Sequence, residues 1–591
     1  MKRALTIAAV LLAPSLATAQ PDEPKVRWLR EHAAPFEFDK AGRGLDDLAS
    51  VRGLVGDARI VSLGEPTHGT RECFQFKHRL VEYLVRELGF SIFAIEANMP
   101  EADRLTSYVL GGEGDPRALI AGMYFWTWDT EEVLAMVEWM RGYNAAQREA
   151  GREQRITFTG FDMQTEPIAM ANARAFVERV EPAYLPALDA AYAKVAGANA
   201  SSTTPTSAVM LGEFPAALVR GKRVTLSGLI RTAKVAGYAG LWWRADGPRG
   251  ALAFNNMQDR GIRGDSPWAR HEFTLDIPDD TQAIYFGMLL VDAGEAWFDD
   301  LSISIGTSTY RDPEAFDLGF EGPGHAGFTL TTPGTRAVLD RADPGVGRQS
   351  LKLAVPFRPA GEIAQGTSID AYREAGAVLA HLEAHQDEYA KAVGARDAAW
   401  GVHNARIVVQ CMANKALMDG DKSLDLDKWN RDASMAANVA WLADQNPGAR
   451  LILWAHNGHV GRSQMAMGHY LEKRFPGQMV VVGFATGTGE YQAIGDGGLK
   501  AHPLLPPRKG TLEWHLDAVG HPRAIFDLRG AVKGDAASGW LREPIGFRLI
   551  GALAMPREQF FPRIVADEYD LMVWQRATTR ARPLGGTIRG E

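Results

Sequence analysis

Residues 58–98 read "ARIVSLGEPTHGTRECFQFKHRLVEYLVRELGFSIFAIEAN". A short apolar run ends in Gly-Glu-Pro-Thr-His-Gly. A helical pattern follows over 71–88, and then a second apolar run. Strand, helix and strand in this order, with nearly continuous apolar strands, predict a parallel sheet covered on both faces. The pattern continues with a helix in "TEEVLAMVEWMRGYN" (130–144) and a third strand in "RITFTGFD" (155–162). It returns late in the chain. "DASMAANVAWLADQ" (432–445) and "SQMAMGHYLEKRF" (463–475) predict helices, while "ARLILWAHN" (449–457) and "QMVVVGFATG" (478–487) predict strands. The Ala-rich stretch 366–418 reads as helical, and "RAIFDLRG", "GFRLIGALAM" and "YDLMVWQRA" add three strand candidates.

Between these halves the character changes. A low-complexity "SSTTPTS" opens a region with few helix signals, and in "HEFTLDI" Phe273, Leu275 and Ile277 alternate with polar neighbours. That alternation marks half-buried antiparallel strands. The expected organisation is an α/β fold, mostly parallel with flanking helices, interrupted by an all-β, jelly-roll-like insert. Its boundaries are 20–199 for the first α/β part, 200–358 for the insert and 359–591 for the second part. The insert resembles the galactose-binding-like modules of secreted carbohydrate-active enzymes, through "LSGLIRT", "GLWWRADG" and "AWFDDLSISI". That resemblance implies glycan contact, for which Trp242 and Trp243 are the stacking candidates. Core packing is the competing reading for both.

The chain has 591 residues, 46% apolar and 23% charged, as expected of a globular protein with more than one folding unit. Residues 1–19 read as a signal peptide: Lys2 and Arg3, then an apolar stretch, then Ala17-Thr18-Ala19. The mature protein is therefore expected to be exported, periplasmic or secreted, with no stable membrane span. Removing Lys2 and Arg3 takes the formal charge from −8 to −10, which argues against nucleic acid as a partner. Two cysteines occur, Cys73 and Cys411. Export permits a bridge between them. Cys73, however, falls on an apolar helix stripe, where a buried thiol is the simpler reading.

That stripe carries Cys73, Phe76, Leu80, Leu84 and Leu88 at helical spacing, and Lys77 lies on it. Arg79 falls on the polar side with Glu72 and Glu82. A lysine on a buried face needs a carboxylate partner. Glu96, at the end of "FAIEAN", is the expected one. Glu65, Glu96, Asp162 and His456 all follow apolar strand segments. Parallel strands would bring them out on the C-terminal edge of the sheet, where ligands bind in open α/β folds. His68 follows Glu65 by three residues, and His459 follows His456 by three. An imidazole can take a proton from water at neutral pH. Glu65 or Glu96 can orient it, and Lys77 can hold a carboxylate ionised. His456 and His459 can donate to an oxyanion or bind substrate. No Gly-x-Ser-x-Gly occurs, which disfavours a serine-elbow hydrolase.

The segments "LGEPTHGTRECFQFKHRLVEYLVRELGFSIFAIEAN", "YFWTWDTEEVLAMVEWMRGYN", "FTGFDMQ", "RDASMAANVAWLAD", "WAHNGHVGR" and "GHYLEKRF…VVVGFATGTGEY" together resemble the erythromycin esterase family. The resemblance implies an ester or lactone hydrolase that needs no cofactor or metal, with antibiotic resistance among the roles it opens. The proposed general base carries onto His68, with Glu65 before it, and the family's further site residues carry onto Glu96 and His456. Lys77 stands where the macrolide esterases tend to have Arg. Trp126 and Trp128 look like walls of the substrate cleft, and Arg431 and Asn438 look like helix residues facing the site, with packing as the alternative for each.

Two other readings compete. A metal hydrolase could draw on Glu65, His68, Glu96 and His456, a donor set suited to Zn²⁺ or Mn²⁺. An exported glycoside-binding protein with an inactive α/β part is the other. The expected partner in the leading reading is a small-molecule ester or lactone, with a glycosylated substrate left open.

Overall fold

The computed structural model describes residues 24–200, 207–247, 250–332, 335–356, 367–495 and 498–584. The leader segment and most of the "SSTTPTS" stretch lie outside them. Six parallel strands form the heart of a nine-stranded sheet. They run side by side in the order Leu571–Thr578, Met479–Gly495, Ile60–Leu63, Leu451–Trp454, Ile92–Asn98 and Thr157–Asp162. Arg523–Asp527 and Ala33–Pro35 extend one side in antiparallel fashion.

The strands Ile60–Leu63 and Ile92–Asn98 are not neighbours. Leu451–Trp454 sits between them, with Trp454 in register with Leu63 on one side and Ile95 on the other. Strand alternation divides the apolar residues between two cores. Ile60, Ala94, Leu451 and Leu453 face one layer of helices, while Val61, Phe93, Ile452 and Trp454 face the other. Cys73 and Cys411 lie in opposite cores and are both free, which removes the bridge that export would permit.

The helix Arg71–Leu88 packs under the second face and ends at Gly89 in the left-handed conformation (φ 72°), whose N–H caps the Leu84 carbonyl. Its expected polar side is also covered. The segment 36–48 folds over it, and Arg79 is fully buried, donating to the carbonyls of Phe38 (2.7 Å) and Gly44 (2.6 Å) and to Asp47. Among the described residues no helix is long and apolar enough to cross a membrane.

Residues 207–355 form a separate ten-stranded antiparallel sheet with its own apolar core. Its central strand, Arg223–Gly247, pairs first with Ile262–Asp276 and Gly294–Ile305, then with Ala283–Val291. Both tryptophans weighed as sugar-stacking candidates are buried, in line with the competing core reading. Trp243 sits in the core, and Trp242 donates to the Met210 carbonyl at 3.1 Å. Neither offers a free face.

Gly64 is a point of close approach behind the site. A Cβ there would lie 2.1 Å from Asn457 Oδ1 and 3.1 Å from Val460. Asn457 is a clamp: its Oδ1 accepts the Phe484 N–H and its Nδ2 donates to the Phe484 carbonyl. Gly64→Ala should therefore cost about 1–3 kcal/mol through overpacking. Urea unfolding measures it, and an unchanged midpoint would show that the clamp yields freely.

Candidate active site

The register row Leu63, Trp454 and Ile95 ends the regular part of three adjacent strands. Glu96 is the next residue along its strand, while Glu65 and His456 each lie two residues past the row. Three short steps beyond paired backbone thus place two carboxylates and an imidazole on one edge.

Glu65 is fully buried. Its Oε1 accepts from His68 Nδ1 at 2.7 Å, and its Oε2 accepts from Lys77 Nζ at 2.6 Å and Trp454 Nε1 at 2.7 Å. Lys77 is buried as its helix position requires, but its partner is Glu65, not the expected Glu96. The reason is the interposed strand, which moves Glu96 away and brings Trp454 beside the ammonium, 4.2 Å from the indole ring centre. Burial pulls the Lys77 ammonium down to about 8, with the Glu65 charge opposing that shift. His68 keeps a side-chain exposure of 12%. With Nδ1–H given to Glu65, its Nε2 takes no hydrogen bond among the described residues.

A second network holds Glu96. Arg431, at the start of the helix Arg431–Gln445, reaches Glu96 Oε1 at 2.7 Å and grips Asp162 through both Nε (3.1 Å) and Nη2 (2.6 Å). His459 lies between Asp432 (2.8 Å from Nδ1) and Glu96 (3.3 Å from Nε2). Burial alone would raise the Glu96 carboxyl, but His459, Arg431 and His68 together hold it well below the usual range. Burial likewise opposes charge on His459, yet Glu96 and Asp432 overcome it and raise its imidazolium to about 10.

His456 differs from expectation. Its Nε2–H donates to the Ile550 carbonyl at 3.1 Å, and its Nδ1 accepts the Gly458 N–H at 3.1 Å. Both nitrogens are spent, and burial together with His68 and His459 holds the ring well below the usual imidazole range. It therefore does not present a donor to substrate. It packs against His68 as a neutral ring, centroids 5.0 Å apart, while its backbone N–H donates to Glu96 Oε2 at 2.9 Å.

Trp128 is 1% exposed, which rules out an open cleft wall. It supports the site from behind, with Nε1 donating to the Glu96 carbonyl at 2.8 Å and the ring edge-on to His68. Trp126 is half-buried, and no hydrogen bond or ring contact ties it to these groups among the described residues. Asn438 is a packing residue that donates to the Phe161 carbonyl at 3.0 Å, whereas Arg431 faces the site. Sequence reading missed Trp454, Asp432 and Ile550. Trp454 lies inside a quoted strand two residues before His456, and Asp432 is beside Arg431, so spacing pointed near both. Ile550 lies inside "GFRLIGALAM", read as a strand, but the strand ends at Arg548 and leaves Ile550 in the loop beyond it. Among the described residues no group of three or more His, Cys, Asp or Glu side chains is arranged to hold a metal ion.

The charge on His459 has a measurable consequence. Its folded value near 10 lies above the 6.5 of a free imidazole. The stabilisation from its ion pairs is complete below about 6.5 and is lost as pH rises through about 10. His459→Gln should therefore lower Tm most near pH 6, with the gap to wild type narrowing toward pH 10. A gap that is constant with pH would mean that His459 is neutral in the folded protein.

The erythromycin esterase family model matches residues 85–225 and 334–578, and the interval between the two matches falls inside the all-β sheet. Erythromycin esterase type II of Escherichia coli is 30% identical over 137 residues, 23% of this chain and 31% of that protein. The YbfO protein of Bacillus subtilis (strain 168) is 30% identical over 156 residues, 26% of this chain and 33% of its own. The matched stretches span about a third of the length of these curated relatives. A crystal structure from Bacillus cereus superposes with a TM-score of 0.58 at 18% identity, covering 96% of this chain and 99% of its own. An EreC erythromycin esterase mutant in its open conformation superposes with a TM-score of 0.51 at 13% identity, covering 92% and 96%. At these identities the structures show a shared fold.

Proposed function

Since the chain belongs to the erythromycin esterase family, we propose that it hydrolyses a carboxylic ester or lactone, with His68 as the base that activates water. The observation that carries this reading is the 2.7 Å contact between His68 Nδ1 and the buried Glu65 carboxylate, which leaves Nε2 as the proton acceptor. Water loses a proton to Nε2 as its oxygen attacks the ester carbon. The imidazolium so formed is stabilised by Glu65, which Lys77 and Trp454 hold in place. Collapse of the tetrahedral intermediate breaks the bond to the alkoxide, which recovers the proton from Nε2 and leaves as the alcohol. Arg431, the partly exposed guanidinium at the same edge, is assigned to the developing oxyanion.

Electrostatics favours this assignment. Glu65, Glu96, Asp162 and Asp432 face Lys77, Arg431 and His459. The edge thus holds one carboxylate more than it holds cations, a field that offsets the positive charge of the imidazolium formed during attack. Export of the mature chain, supported by the leader-like segment 1–19, belongs to the same proposal.

The test is a mass-spectrometric hydrolysis screen over macrolides, acyl sugars and aryl esters, run on wild type and His68→Ala side by side. Turnover in the variant should fall by about 10²-fold or more. Wild-type activity should persist after exhaustive chelation. Turnover that survives in His68→Ala, or that disappears on chelation and returns with Zn²⁺, would contradict the assignment.

A further inference from the structure

The loop that supplies the Ile550 carbonyl continues away from the site toward the all-β sheet. At its start it is fixed to the catalytic turn, since the Ile550 N–H donates to the Pro66 carbonyl at 2.8 Å and its carbonyl accepts from His456. Further along, the Ile494 N–H donates to the Ala552 carbonyl (3.0 Å), the Ala554 N–H donates to the Ile494 carbonyl (2.8 Å), and the Met555 N–H donates to Tyr491 Oη (2.9 Å). The loop is therefore braced along its length. Between it and the all-β sheet runs a groove of about 790 Å³. Leu211, Tyr285 and Phe328 line one wall, and Leu553, Met555 and Pro556 line the other.

Several features suit this groove to a small molecule. Its volume lies within the range of ligand pockets, it is mainly apolar with a few polar groups, and it sits at a junction between two structural units. Leu553 is 51% exposed. A lone exposed leucine means little, but this one stands on a braced loop and shares a concave surface with Met555 and Phe328. Its wall begins at Gly551, one residue from the carbonyl that touches His456, whose ring packs on His68. The acidic member, Glu213, is pushed up to about 7 by burial, with Glu558 adding to the shift and Arg557, which also lines the groove, opposing it.

We propose that this groove is a substrate subsite that holds a bulky apolar part of the ester while the scissile carbonyl lies at His68. The inference rests on the hydrolase reading above and adds the substrate class: esters with a large uncharged body remote from the reacting bond. The all-β sheet then acts as one wall of the substrate cleft. Contacts made there position the ester for attack, and their energy is available to the reaction because they are remote from it.

The full-length chain tests this with one variant in each wall, Leu553→Asp and Thr329→Glu, each checked by circular dichroism against wild type. Two readouts are needed. The first is saturable fluorescence of the neutral dye N-phenyl-1-naphthylamine. The second is the ratio of kcat/KM for 2-naphthyl hexanoate to that for phenyl acetate. Both should fall by about tenfold or more in each variant, as expected from placing a charge where an apolar contact was made. Dye binding and a ratio that stay within twofold of wild type in both variants would overturn the proposal. If wild type hydrolyses neither these esters nor any in the screen above while dye binding still falls in the variants, the groove stands as an apolar ligand site and the hydrolase reading fails.

Discussion

Everything at the sheet edge depends on burying the Glu65 carboxylate without leaving it unpaired. A charge taken out of water at this depth is tolerated only with close counter-charge and hydrogen bonds on its lone pairs. Lys77 and Trp454 supply these from two different elements, a helix and the central strand. His68 completes the set from the turn that joins Ile60–Leu63 to the helix. Removing the ammonium would leave an uncompensated buried charge, a loss of about 3–5 kcal/mol. The same pairing that stabilises the fold thus fixes the proton on His68 Nδ1 and frees Nε2. An exposed Glu65 would hold the ring loosely, because an ion pair in water contributes little.

The second network repeats this logic in a different way. Glu96 and Asp162 share the Arg431 guanidinium, whose planar fork spans two carboxylates where a lysine would offer a point charge. His459 adds a second cation on Glu96. His456 separates the two networks as a neutral ring. His459 and His456 thus flank His68 in different surroundings, the first among two carboxylates and the Arg431 guanidinium, the second between a backbone carbonyl and a backbone N–H.

Much of this was legible in the sequence, and the limits follow from geometry. The apolar runs identified the strands, because a strand buried on both faces is mostly apolar, with Ser62 the polar residue that Ile60–Leu63 carries. Helical periodicity put Lys77 on the buried stripe. It could not name the partner, because that depends on which strands lie side by side. Leu451–Trp454 pairs with strands remote in sequence, and no local pattern records that pairing. The same remoteness hid Trp454, which read as one more apolar strand residue until register set it beside Glu65. Arg79 read as solvent-facing because helix period alone cannot anticipate the segment 36–48 folding over it. The loop at Ile550 read as the continuation of a strand that in fact stops at Arg548, and its importance lies in what it touches.

On this geometry Glu65 sets the tautomer of His68. Nuclear magnetic resonance of ¹⁵N-histidine-labelled protein, with His68→Ala used to assign the signal, reads this directly. The expected signal is that of a ring protonated on Nδ1, with its N–H proton far downfield because of the short bond to a buried carboxylate. A His68 ring protonated on Nε2 would contradict it.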